Sequence, residues 1–419
     1  MKNTRRSDFE IMAPAGSMES LTAAINAGAD SVYFGIKGLN MRSKSGVNFE
    51  LSDLEGIVEK CSANSVKTYL TLNTIIYDED VALVREILDE CVRVGVTAVI
   101  ASDAAVMEMA RVRGLSVHVS TQCNVCNTLA VKHYARYADV MVLARELTLD
   151  QVRDIAKNIE SENITGPSGS KVRIEMFCHG ALCLAVSGKC YMSLHLMNQS
   201  ANRGACTQIC RRGYEVMDCE TGEHLNVENN YIMSPKDLKT IAFLDKMIAA
   251  GVRVFKIEGR ARGPEYVAMA VTCYREALEA VLDGSFCNEK IERWNNELSK
   301  IFNRGFWDGY YQGARLGEWS TKYGSSATRT KFYCAKALRY YPRLGVGEFL
   351  LESGRLEPND EVLVIGPTTG VLNFNIEQIR LDRDPEPFVE KGQVFSIPVP
   401  GRIRPGDKLY KWIVNPADK

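Results

Sequence analysis

Residues 10–36 read EIMAPAGSMESLTAAINAGADSVYFGI, and this stretch decides the fold class. A short apolar run at Glu10 to Ala13 is followed by a serine, an amphipathic run and a glycine at 28, and then a second apolar run from Ser31 to Ile36. Apolar residues at three and four spacing between two β-rich runs spell one strand–helix–strand unit. The same rhythm recurs, for instance in DEDVALVREILDECVRVG at 78–95. Further strands are expected at Lys67 to Leu72, Ala98 to Ala101, Ser116 to Ser120, Val140 to Ala144, Val172 to Phe177 and Arg253 to Ile257. Eight such units predict an α/β fold, a TIM (β/α)8 barrel over residues 1–308.

One connection breaks the rhythm, because roughly sixty residues separate strand seven from helix seven where a few suffice. This insertion, 178–235, follows a strand and therefore falls on the face where TIM barrels build their active sites. Beyond it, GARLGEWSTKYGSSATRT at 313–330 reads as part of a linker, 309–330. The text then turns to short β runs such as EVLVIGPTTGVLNF and QVFSIPV, predicting a small β-barrel domain over 331–419.

Of 419 residues, 46% are apolar and 25% charged, as in an ordinary globular protein. With 51 basic against 52 acidic residues, any nucleic-acid surface must be local. The leading MKNTRRSD is charged and lacks a signal-like apolar region, and no apolar run has a membrane-spanning length of about 18 residues, so no membrane partner and a cytoplasmic location are expected.

Thirteen cysteines are then more naturally thiols or metal ligands than disulfides. The insertion reads FCHGALCLAVSGKCYMSLHLMNQSANRGACTQICRRGY over 177–214 and sets Cys183, Cys190, Cys206 and Cys210 within 28 positions. Four soft thiolates suit zinc or an iron–sulfur centre, and the spacing alone leaves both open. Cys178 reads as packing, Cys123 and Cys126 form a CxxC after strand five, and Cys61, Cys91, Cys273, Cys287 and Cys334 read as core.

Polar residues at strand ends are costly in a barrel unless paired or used. Candidate binding residues on this ground are Asn40, Arg42, Asn73, His118, Gln122, Arg145, Glu146, Arg203 and Arg260. Glu175, His179, Lys256 and Glu258 are candidates for proton transfer. Arginines in such a ring match a dicarboxylate, and a lattice of salt bridges, such as Arg145 with Glu175 or Lys256 with Glu146, is the structural alternative. Lys171, Arg173, Lys189, Arg203, Arg211 and Arg212 face the single acid Glu175 between 171 and 214, a pattern that predicts a phosphate-attracting patch.

The run Glu175, Phe177, Gly180, Ala181, Leu182, Cys183, Gly188, Cys190, Met192 and Ser193 resembles the signature of the peptidase U-32 family. APAG at 13–16, LNMR at 39–42, STQ at 120–122, RE at 145–146, NRGAC at 202–206 and KIEGR at 256–260 agree with it. Despite its name, the family includes RNA hydroxylases. The resemblance implies a four-iron four-sulfur cluster on Cys183, Cys190, Cys206 and Cys210, tRNA as partner and prephenate as co-substrate. It implies hydroxylation of the tRNA wobble uridine to 5-hydroxyuridine, with a ribosomal RNA cytidine as the alternative target. The family name also advertises a peptidase, although the chain holds no GxSxG and no HExxH. A non-catalytic metal-binding module is the third reading.

Overall fold

The strand-forming runs close on themselves. In the computed structural model, which describes residues 5–43, 48–225, 231–382 and 384–415, eight parallel strands follow one another round a barrel: β1 (Glu10–Pro14), β2 (Ser31–Phe34), β3 (Lys67–Leu72), β4 (Ala98–Ala101), β5 (Ser116–Val119), β6 (Val140–Val142), β7 (Arg173–Gly180) and β8 (Val252–Ile257). β8 pairs with both β1 and β7, which closes the ring. The parts of the predicted domains at 1–4, 44–47, 226–230, 383 and 416–419 lie outside the described residues.

Local signals explain the helices between the strands. Ser17 accepts a hydrogen bond from the Ser20 amide at the start of helix Met18–Asn26, and Thr148 with Gln151 forms a capping box before helix Leu149–Ser161. Leu149, Val152, Ile155 and Ile159 form the buried stripe of that helix. Gly95, at φ +83°, ends helix Val81–Val94 in the left-handed cap that glycine adopts without penalty.

Strand alternation separates two apolar regions. Residues such as Ile11, Phe34 and Leu70 pack outward against the helices, whereas Met12, Tyr33, Tyr69, Ile100 and Val254 fill the barrel interior. At the lower end of that interior the buried carboxylate of Glu10 receives Lys67 at 2.8 Å, the Tyr69 hydroxyl at 2.7 Å and Arg173 at 3.4 Å.

β7 runs three residues beyond its expected end at Phe177. The strand Asp237–Lys239 returns from the insertion and pairs antiparallel with it, Leu238 opposite Gly180 and Lys239 opposite His179. The register of β7 against β8 slips between the pairs Phe177–Lys256 and His179–Ile257, leaving Cys178 as an extra residue.

The C-terminal strands, from Arg329–Tyr341 to Lys408–Val414, form an eight-stranded antiparallel sheet around its own core, which includes Phe349, Val364, Phe395 and Leu409. It meets the barrel where Thr22 and Lys60 donate to the Pro367 carbonyl, at 2.5 and 3.2 Å, and Lys331 pairs with Glu265 at 2.7 Å. The stretch 309–330, read as a linker, lies along the barrel instead of spanning freely. Tyr311 is buried and donates to the Phe177 carbonyl at 3.0 Å, and Trp319 forms a β-bridge with Pro235. Its glycines and polar residues mark irregular backbone, which is a different property from freedom. Among the described residues no helix is long and apolar enough to cross a membrane.

Gly180, at φ +103°, turns β7 into the insertion, and a Cβ there would sit 2.4 Å from the Glu258 carbonyl oxygen. Gly180→Ala is expected to lower the urea unfolding free energy by about 2 kcal/mol or more, since both the dihedral and the contact oppose it; an unchanged midpoint would contradict this packing.

Candidate active site

β7 and β8 are neighbours, so side chains two residues apart on each strand meet inside the barrel. Lys256 Nζ lies 2.7 Å from Glu175 Oε1, and His118 Nδ1, from β5, lies 3.0 Å from Glu175 Oε2. All three are buried. Burial alone would raise the Glu175 pKa, but Lys256 and His118 outweigh it and hold the carboxyl below its ordinary value. The ammonium of Lys256 also sits 4.6 Å from the centre of the Tyr33 ring.

Above this triad opens a cavity of about 190 Å³ at the C-terminal ends of the strands. Its lining brings together Arg42, Asn73, Gln122, Arg145, Lys256, Glu258 and Arg260, with Cys183, Cys190, Cys206 and Cys210 forming the wall contributed by the insertion. Arg42 reaches Glu258 at 2.6 Å, and Tyr33 donates to the same carboxylate at 3.1 Å. Burial pushes the Glu258 pKa up, yet Arg42, Arg260 and Arg262 bring it down to about 2. Asn40 is buried behind Arg260 and accepts its guanidinium at 3.0 Å, with Thr71 accepting at 2.8 Å. Asn73 donates to Gln122 at 2.8 Å. Arg145 donates to the Ala181 carbonyl at 3.2 Å and lies over the Phe177 ring.

Sequence reasoning missed Tyr33, Arg262 and Arg304, which also line the cavity. Arg304 lies 3.4 Å from the buried Asp237, and Arg262 stacks on Phe302 at 3.6 Å. Arg211, read as part of a surface patch, is instead turned inward onto the Leu182 and Pro235 carbonyls. Six arginines and Lys256 thus face one lining carboxylate, Glu258, among the described residues. Arg262, two positions beyond KIEGR, is the one that a wider reading of that motif would have found.

Three candidates are elsewhere. His179 should face inward by alternation from Glu175 and Phe177, but the extra residue at Cys178 carries it out into a box of Tyr266, Tyr274 and Phe306. Burial, then Lys239 and Arg262, depress its pKa to about 3, so it is neutral at pH 7 and outside the cavity lining. Arg203 clamps Asp80 and the Ile75 carbonyl and lies over Tyr77. Glu146 is exposed beside an adjoining pocket. The expected pairs Arg145–Glu175 and Lys256–Glu146 are replaced by Lys256–Glu175.

The predicted basic patch is divided too. Lys171 and Arg173 lie at the start of β7, the opposite end of the barrel, paired with Glu160 and Glu10; only Lys189 and Arg212 of the set are exposed on the insertion.

Four cysteines on one cavity make a donor set of soft thiolates. Among the described residues no three histidine, cysteine or acidic side chains are gathered tightly enough to share a single ion. The four are nonetheless electrostatic neighbours: after burial and Arg211, it is Cys183, Cys206 and Cys190 that act on the raised Cys210 thiol. Cys178 is buried and donates to the Lys256 carbonyl, outside the lining. Cys61, Cys91, Cys273 and Cys334 are core, whereas Cys287 is exposed before helix Asn288–Lys300.

Replacing Lys256 by Met leaves Glu175 buried against His118 alone and is expected to cost about 3–5 kcal/mol. Adding Glu175→Gln should recover a large part of that loss in urea unfolding; strict additivity of the two changes would show that the pair is not coupled. Glu10, which burial pushes up but Lys67 holds at about 2 against 4.5 for a free carboxyl, contributes stability that is complete above pH 4.5 and is lost as the pH falls towards 2. Glu10→Gln should therefore flatten the stability profile in that window, and an equally steep acid limb would refute the assignment.

The sequence signature of peptidase family U32 matches residues 16–321. A Porphyromonas gingivalis protein named collagenase is 59% identical over 405 residues, covering 97% of this chain and 98% of its own. A Bacillus subtilis protein named tRNA hydroxylation protein P1 is 30% identical, over 96% of this chain and 94% of its own. The Escherichia coli 23S rRNA 5-hydroxycytidine C2501 synthase is 34% identical, over 74% of this chain but 46% of its own.

Proposed function

The chain belongs to peptidase family U32, and from that premise we propose that it is an RNA nucleobase hydroxylase which forms 5-hydroxyuridine at the tRNA wobble position. The observation that carries the reading is the cavity itself: six arginines and a lysine against one carboxylate, walled by four cysteines. RNA hydroxylation appears in the names of relatives covering most of this chain, one of them matched nearly end to end.

The excess of guanidinium groups calls for an anion of more than one charge, and a dicarboxylate such as prephenate answers it. Arg262 and Arg145 are the natural clamps, because neither is tied to a carboxylate in an ion pair among the described residues. Arg42 and Arg260 are committed to Glu258 and to Asn40 with Thr71, which fixes the shape of the floor. Lys256, paired with Glu175, offers an N–H donor at the base of the cavity, and His118 keeps Glu175 oriented.

Cys183, Cys190, Cys206 and Cys210 would hold a four-iron four-sulfur cluster. A bound cluster supplies electron transfer next to the substrate.

The 59% identical relative named collagenase supports peptidase activity as a second reading. Against it, a thiol or hydroxyl nucleophile needs a base within reach, and the two barrel histidines put forward for the site are engaged elsewhere: His118 on Glu175 and His179 in its aromatic box.

Protein purified without oxygen separates the readings. We expect iron and inorganic sulfide lost in Cys206→Ala, prephenate affinity weakened tenfold or more in Arg262→Ala, and no cleavage of gelatin. Stoichiometric zinc without iron, or gelatin cleavage that Cys183→Ala abolishes while the protein stays folded, would overturn the proposal.

A further inference from the structure

A second pocket adjoins the cavity and shares its wall at Arg145, Cys183 and Ser187. Its far side is aromatic. Trp307, Tyr310 and Trp319 converge on Gly317, whose Cα would carry a Cβ 3.9, 3.5 and 3.7 Å from them respectively. Those are ordinary contact distances and Gly317 has no left-handed φ, so the backbone does not require glycine there. What the missing side chain leaves is space between three rings.

The rings are held from behind. Trp307 Nε1 donates to the Lys236 carbonyl at 3.1 Å, its ring meets Tyr310 edge to face at 5.3 Å, and Trp319 is fixed by its β-bridge to Pro235. Trp319 nonetheless stays 37% exposed, which leaves part of the indole open to a ligand. At the polar edge stands Glu146, exposed and without an ion pair among the described residues.

We infer that this pocket is the docking site for an unstacked nucleobase of the RNA substrate, which Trp319 receives by stacking and Glu146 recognises by accepting a base N–H. The inference rests on the RNA reading above and adds the place where a base leaves its own stack. Aromatic faces bind bases irrespective of sequence, and a carboxylate accepts from the N–H groups on a pyrimidine's pairing edge. The shared wall at Arg145 and Cys183 then leads from the stacking platform to the cationic cavity. An aromatic groove can also take a proline-rich peptide, but the arginines on the neighbouring wall favour a phosphate-bearing chain.

The test uses the full-length protein and two probes, a short single-stranded oligouridylate and a proline-rich collagen-like peptide, with binding followed by tryptophan emission and by anisotropy. Oligouridylate should quench the emission, and Trp319→Ala should weaken its binding about tenfold or more, the size of one lost stack. Gly317→Val, which fills the pocket while keeping all three rings, should weaken it similarly with an unchanged thermal midpoint, and Glu146→Gln should reduce the preference for uridine over an abasic analogue. Wild-type affinity in both Trp319→Ala and Gly317→Val, or tighter binding of the peptide with the same variants abolishing it, overturns the inference. If tRNA is still hydroxylated while the variants bind oligouridylate normally, the pocket assignment alone has failed; if no RNA is modified, the reading beneath it has.

Discussion

The seam between β7 and β8 governs the whole active face. Because these strands are neighbours in the closed barrel, the Glu175 carboxylate and the Lys256 ammonium meet inside it, away from water, and each makes the other's burial tolerable. A lone buried charge of either sign would cost several kcal/mol. With His118 on the second oxygen, both Glu175 oxygens are engaged, and Lys256 is fixed in position under the cavity floor.

The same seam sets what stands above it. β8 continues directly into Glu258, Arg260 and Arg262, and β7 continues into the cysteine-bearing insertion, so cationic floor and thiol wall issue from adjacent strand ends. The extra residue at the upper end of the seam, Cys178, decides which side chains point where above it. It sends His179 outward among Tyr266, Tyr274 and Phe306, and aligns Gly180 against the Glu258 carbonyl.

Much of this could be read from the sequence because strand and helix periods are local. Each barrel strand falls where its apolar run predicts, and the cysteine spacing points to one shared site, since Cys183, Cys190, Cys206 and Cys210 do line one cavity. What stayed hidden depends on pairings between distant residues. His179 was misread because a bulge cannot be seen in a single strand's alternation, and Arg203 because its partner Asp80 is 123 positions away. Arg304 and Asp237 meet only because the insertion sends Asp237–Lys239 back beside β7, with Phe306–Trp307 next to it. The aromatic pocket is hidden for the same reason: two of its rings, Tyr310 and Trp319, come from a stretch whose composition resembles a linker but whose backbone is pinned to the barrel.

The central claim is that this cationic, thiol-walled barrel mouth hydroxylates RNA. Mass spectrometry of nucleosides from tRNA and ribosomal RNA of cells lacking the chain tests it most directly, with any paralogue also removed. The account predicts that tRNA 5-hydroxyuridine disappears and returns with the wild-type gene but not with Lys256→Met; undiminished 5-hydroxyuridine in those cells would contradict it.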